Sequence, residues 1–94
     1  MIEQVLVKKL KRKEEAAFEE IVTTYANRLY KVCYLILKDE KEAEDVVQET
    51  FIKVYKNIAL FRGDSSLYTW IYRIALNISR DYVRKRMETI PLKE

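Results

Sequence analysis

Arg73, Asn77, Arg80 and Arg84 follow one another at steps of four, three and four residues. At about 100° per residue, that spacing lays three guanidinium groups and one carboxamide along a single face of a helix. Guanidinium forks match phosphate oxygens, and an asparagine amide both donates to and accepts from a base edge, so the row suits a nucleic-acid backbone. A merely solvated basic face is the competing account. Thr69 falls on the same side, Trp70 at its border beside Asn77, and Tyr68 and Tyr72 on the other flank. Aromatic rings and an amide bordering a basic face can stack on and read unpaired bases, worth roughly 1–3 kcal/mol per base. A single or melted strand therefore fits better than an intact duplex, although Trp70 also has a packing role to fill.

Immediately upstream lies Arg62-Gly63-Asp64-Ser65-Ser66. Short polar side chains and exposed amides beside a helix N-terminus could line a pocket for a base swung out of its stack, with the helix end helping a nearby phosphate. A plain capping loop, with Asp64 or Ser65 as the cap, accounts for the same residues. Both accounts stay open at this level.

The charge is unevenly spread. Asp39, Glu40, Glu42, Glu44, Asp45 and Glu49 crowd one stretch with only Lys41 against them, whereas Arg73, Arg80, Arg84, Lys85 and Arg86 crowd another against Asp81. Two unlike partners follow from two unlike surfaces. On the acidic stretch Ile52 is an apolar side chain on an outward face with Asp45, Gln48, Glu49 and Lys56 around it, the anatomy of a protein-docking patch. Acid repels DNA, so that face should meet a protein carrying basic residues.

Several classes drop out. The chain contains no histidine, which removes the commonest general base and the usual zinc ligand, and its single Gly63 cannot make a glycine-rich phosphate loop. Neither an enzyme nor a metal or cofactor site is expected. Cys33, beside Ile36 and Leu37, reads as a small core residue. The longest apolar run, Val32 to Leu37, is far short of the roughly 20 residues that span a bilayer, and the start lacks a secretory segment, so a cytoplasmic protein without membrane insertion is expected.

These surfaces need helices to carry them. Ninety-four residues suit one compact domain. Residues 1–13 form a short helical lead ending in Lys8, Lys9, Lys11, Arg12 and Lys13, read first as solvated charge rather than as a phosphate-binding arm. A helix is predicted over about 14–38, with Phe18, Ile21, Val22, Tyr25, Leu29, Val32, Cys33, Ile36 and Leu37 as its inward stripe. Asp39, with Glu42 three residues on, caps the next helix, which runs to about Ala59 and buries Ala43, Val46, Val47, Thr50, Phe51, Val54 and Ile58. A last helix over about 66–85 buries Leu67, Trp70, Ile71, Ile74, Ala75, Ile78 and Tyr82, and residues 87–94, with Pro91, read as a tail or the start of a linker. The expected fold is all-α, a small bundle of three main helices plus a short N-terminal helix.

Three runs in this order resemble region 2 of the extracytoplasmic-function sigma factors of bacteria. They are Ala43-Glu44-Asp45-Val46-Val47-Gln48-Glu49-Thr50-Phe51-Ile52-Lys53-Val54-Tyr55, then Phe61-Arg62-Gly63-Asp64-Ser65, then Thr69-Trp70-Ile71-Tyr72-Arg73-Ile74-Ala75 followed by Asn77. The resemblance covers about residues 16–86. It implies that Asp45, Gln48, Glu49, Ile52 and Lys56 lie on the segment that docks on the clamp helices of the largest subunit of core RNA polymerase. It implies that Arg62 to Ser66, with Leu67, capture a flipped base of the non-template strand of the promoter −10 element, and that Arg73, Asn77 and Arg80 help melt and hold that strand. An anti-sigma protein is implied as a further partner. Complete members carry a second helical domain that reads the −35 element, and 94 residues leave no room for it, so a region 2 fragment or a split subunit is expected. Two other readings remain: a helix-turn-helix regulator of duplex DNA, against which the long final helix and its aromatic border argue, and a helical protein–protein adaptor.

Overall fold

A computed structural model describes residues 2–89, and every regular element in it is helical. Helix α1 spans Ile2–Lys11, α2 Glu15–Leu37, α3 Glu40–Asn57 and α4 Leu67–Thr89, with a single 3-10 turn at Ile58–Leu60. The Ile90 to Glu94 part of the expected tail lies outside the described residues, whereas Met87 to Thr89 continue α4 past the predicted end.

The connections follow from local chemistry. Lys13 takes a left-handed φ of 63°, its amide bonds the Leu10 carbonyl at 2.9 Å and the Glu14 amide bonds that of Lys9 at 3.1 Å, the Schellman closure of α1. Lys38 closes α2 in the same left-handed region, its amide on the Tyr34 carbonyl. Asp39 is then extended, and its Oδ1 accepts from the Glu42 amide at 2.8 Å, a cap worth about 1 kcal/mol. A two-residue link therefore turns α2 back into α3.

Pairs across the bundle give its directions. Tyr25 meets Tyr68 and Cys33 meets Ser79, so α2 and α4 run parallel. Glu49 meets Tyr82 and Glu42 meets Arg86, so α3 runs against α4. Helix α1 lies across one end, held by Leu10 in the core and by Lys13, whose ammonium donates to the Tyr55 carbonyl and sits 3.9 Å above the Tyr55 ring.

Leu10, Ile21, Leu29, Leu37, Val46, Val54, Ile58, Leu67 and Ile71 are fully buried, and the two buried hydroxyls are satisfied, Thr50 donating to the Val46 carbonyl and Ser79 to Cys33 Sγ. Two members of the predicted α2 stripe are not inside: Val22 and Ile36 are 39% and 36% exposed. The reason is drift: the buried Ala17, Ile21, Leu29, Cys33 and Leu37 recur at multiples of four, which rotates the covered face by about 40° per step, and Val22 and Ile36 each stand about 100° from a buried neighbour in sequence.

Candidate nucleic-acid interface

The loop before α4 is shaped by one glycine and one serine. Gly63 sits at φ +80°, the left-handed region that costs a side-chain-bearing residue roughly 1–2 kcal/mol. Ser66, not Asp64 or Ser65 as predicted, is the cap of α4: its Oγ accepts from the Thr69 amide at 3.1 Å and bonds the Thr69 hydroxyl at 2.9 Å. Asp64 instead pairs with Arg62 at 3.4 Å, both side chains largely exposed. The first amide of α4, that of Leu67, is taken by the carboxylate of Glu3 at 2.9 Å. The helix end that was expected to help a phosphate thus already holds an anion supplied by α1.

Along α4, Arg73, Asn77, Arg80 and Arg84 are all exposed and share one side, opposite the buried Leu67, Ile71, Ala75 and Ile78. They are not electrostatically alike. Arg84 is gripped by its own helix, 2.9 Å from Asp81 and 3.7 Å from Glu88. Arg73 and Arg80 have no ion-pair partner among the described residues. The positive charge left unshared on the row is that of Arg73 and Arg80, displaced from Arg84 toward the loop end. Thr69 and Trp70 are half-buried at that same end, and Trp70 leans on the buried Phe61 with ring centroids 5.3 Å apart. That contact couples the loop to the first turn of α4.

On the other border the Tyr68 and Tyr72 rings lie 6.0 Å apart, tilted by 35°, and Arg28 of α2 lies 4.1 Å above the Tyr68 ring. Burial pushes the Tyr68 phenol above the usual tyrosine range, with the Arg28 charge opposing. Arg28 is a cation on Tyr68 that periodicity within α4 could not reveal, since it arrives from another helix.

The face expected to meet a protein is partly rearranged. Asp45, Ile52 and Lys56 share the outward line of α3, but Asp45 is paired with Lys41 at 3.2 Å. Glu49 leans toward α4, where it accepts from the Tyr82 hydroxyl at 3.2 Å, and Gln48 borders the opposite groove between α2 and α3. Ile52, 54% exposed, is not an isolated apolar centre. It lines an apolar groove of about 280 Å³ with Phe18 and Val22 of α2 and Phe51 and Tyr55 of α3. The exposed Val22 thus belongs to this groove.

With this geometry in place, similarities to known proteins become informative. The family description Sigma-70 region 2 matches residues 21–89. The chain belongs to the sigma-70 family. This region 2 domain is 39% identical over 84 residues to the RNA polymerase sigma-H factor of Pseudomonas aeruginosa, covering 89% of the chain and 44% of that protein. It is 41% identical over 80 residues to the ECF RNA polymerase sigma factor SigW of Bacillus subtilis, covering 85% and 43%. It spans less than half the length of these curated relatives, and the likeness to SigW places it with the extracytoplasmic-function group. Among solved structures, an engineered region 2 of sigmaE in complex with GTAAAA superposes with a TM-score of 0.83 at 30% identity, over 96% of this chain and 94% of that one.

Proposed function

We propose that this region 2 domain is a transcription-initiation module that docks on core RNA polymerase through α3 and captures the melted non-template strand of a promoter −10 element with α4 and the loop before it. It has no enzymatic role. The observation that carries the reading is the match, over nearly the whole chain, to a region 2 of sigmaE in complex with GTAAAA, in a fold where Arg73, Asn77 and Arg80 face solvent above the loop. In this reading Arg62 to Ser66 receive the unstacked base, Thr69, Trp70 and Asn77 border it, and Arg73 and Arg80 neutralise phosphates, with Arg84 contributing less; Leu67, expected beside that base, is fully buried and anchors the loop to the core instead.

The protein partner sits on the opposite side. Asp45, Gln48, Ile52 and Lys56, with the Phe18–Val22–Tyr55 groove, offer an apolar seat with an acidic rim, suited to the clamp helices of the largest subunit; Glu49 stands at its edge. An anti-sigma protein covering both surfaces would silence both activities. All of this takes place in the cytoplasm, where polymerase and promoter meet, and no helix among the described residues is long and apolar enough to cross a membrane.

A labelled single strand carrying GTAAAA, the same strand annealed to its complement, and a pull-down of core polymerase test the reading together. Preferential binding of the single strand with a change in Trp70 fluorescence, and retention of polymerase, are expected. Equal affinity for strand and duplex would favour a duplex regulator, and polymerase retention without any DNA binding would leave only an adaptor.

A further inference from the structure

Glu3 and Leu67 lie 64 residues apart, yet the Glu3 carboxylate accepts the first amide of α4 in a part-buried hydrogen bond. The bond places α1 directly against the loop that starts α4. Between them opens a cleft of about 430 Å³, within the roughly 300–1,000 Å³ of small-ligand sites and ample for one nucleobase. Its lining divides by chemistry. Val7 and the buried Phe61 are apolar, Gln4 presents an exposed carboxamide, Glu3 is occupied by the Leu67 amide, Lys11 brings a cation from α1, and Arg62, paired with the exposed Asp64, brings a partly shared one from the loop. Gly63, with nothing within 4 Å of where a Cβ would stand, leaves its loop edge open. Apolar contact suits a base's ring face, a carboxamide suits its edge, and flanking cations suit the phosphates on either side.

We infer that α1 is the second wall of the base-capturing cleft. Gln4 contacts the edge of the captured base, Lys11 takes a phosphate of the same strand, and Glu3 is the positioning residue that holds α1 to the loop. This rests on the strand-capture reading above and deepens it, because it moves part of base selection from the loop and α4 to a helix whose basic end otherwise reads as solvated charge. The Glu3 carboxylate also explains why the phosphate belongs at Lys11 rather than at the α4 terminus, which is already occupied by an anion.

The test uses the 94-residue chain and labelled single strands derived from GTAAAA, with each base in turn replaced by the other three or by an abasic site. Gln4→Ala, at an exposed position, should reduce the base preference at one position by at least about fivefold, the size of a lost base-edge contact. It should leave affinity for the strand abasic there unchanged. Lys11→Gln should flatten the salt dependence by about one phosphate contact, a slope change of about 0.7, without altering preference. Glu3→Gln keeps an acceptor but loses the charge, and should lower discrimination at the same position as Gln4→Ala while circular dichroism stays that of the parent. Unchanged preference at every position in Gln4→Ala, with a parent that discriminates, overturns this inference alone. A parent that binds no single strand overturns the strand-capture reading and this inference together.

Discussion

Replacing the arginines of α4 one at a time separates a strand-binding row from a solvated one, because the ion pairs already rank them. Arg84 shares its charge with Asp81 and Glu88, both within 4 Å, whereas Arg73 and Arg80 stand without a partner among the described residues. Each phosphate neutralised on a single strand contributes about 0.7 to the slope of log affinity against log salt. Between about 50 and 200 mM salt, one such contact changes affinity roughly 2.6-fold and two change it roughly 7-fold. Arg73→Gln and Arg80→Gln should each flatten the slope by about 0.7 and the double variant by about 1.4, while Arg84→Gln leaves it unchanged. Asp81→Asn, which loosens the grip on Arg84, should steepen it. Fluorescence anisotropy of a labelled GTAAAA strand over a salt series reads these slopes directly. If Arg84→Gln flattens the slope as much as Arg73→Gln, the intrahelical carboxylates do not withhold that charge. If none of the three does, the row is a solvated face and the strand lies elsewhere.

Ile52→Asp changes a side chain that is more than half exposed, so thermal stability should move by no more than about 0.5 kcal/mol while core polymerase is no longer retained; an intact pull-down would remove the docking face. Asp39→Ala deletes the cap on α3 and should cost about 1 kcal/mol in urea unfolding, leaving strand affinity unaltered; no loss of stability would mean that the cap hydrogen bond is not formed in solution. Gly63→Ala meets no neighbour, so its cost is conformational, about 1–2 kcal/mol taken locally, and it should weaken capture of a single strand with the helices intact; wild-type affinity would deny the loop its role. Without histidine, strand affinity should be flat between about pH 6 and 8. Burial raises the Cys33 thiol and the Tyr68 and Tyr82 phenols, the last also facing Glu49, so each favours its neutral form in the folded state. That stability is complete below the ordinary values of these groups and is lost as pH rises through the raised ones. The urea midpoint should therefore hold to about pH 8 and then fall. A midpoint that climbs in alkali would contradict the burial of all three.

How much of this was legible in the sequence depends on how far apart the interacting residues are. The four helices, the Asp39 cap and the outward row on α4 are encoded within a few turns of chain, and periodicity exposes them. So, in principle, was the pairing of Arg84, because Asp81 and Glu88 lie at three and four residues from it, the spacing at which helix neighbours meet. Reading charge by sum rather than by neighbour hid it. The choice of Ser66 over Asp64 or Ser65 as the cap turned on where Gly63 bends the loop, a matter of one residue that composition does not resolve. The Glu3–Leu67 bond, Arg28 over Tyr68, and the groove that Ile52 shares with Phe18 and Val22 belong to a different class. Each joins two helices, and an amphipathic stripe states only that a face is covered, not which neighbour covers it. These contacts between elements also alter the functional reading most. They turn an isolated isoleucine into a groove, and they turn a free helix terminus into one already held by α1.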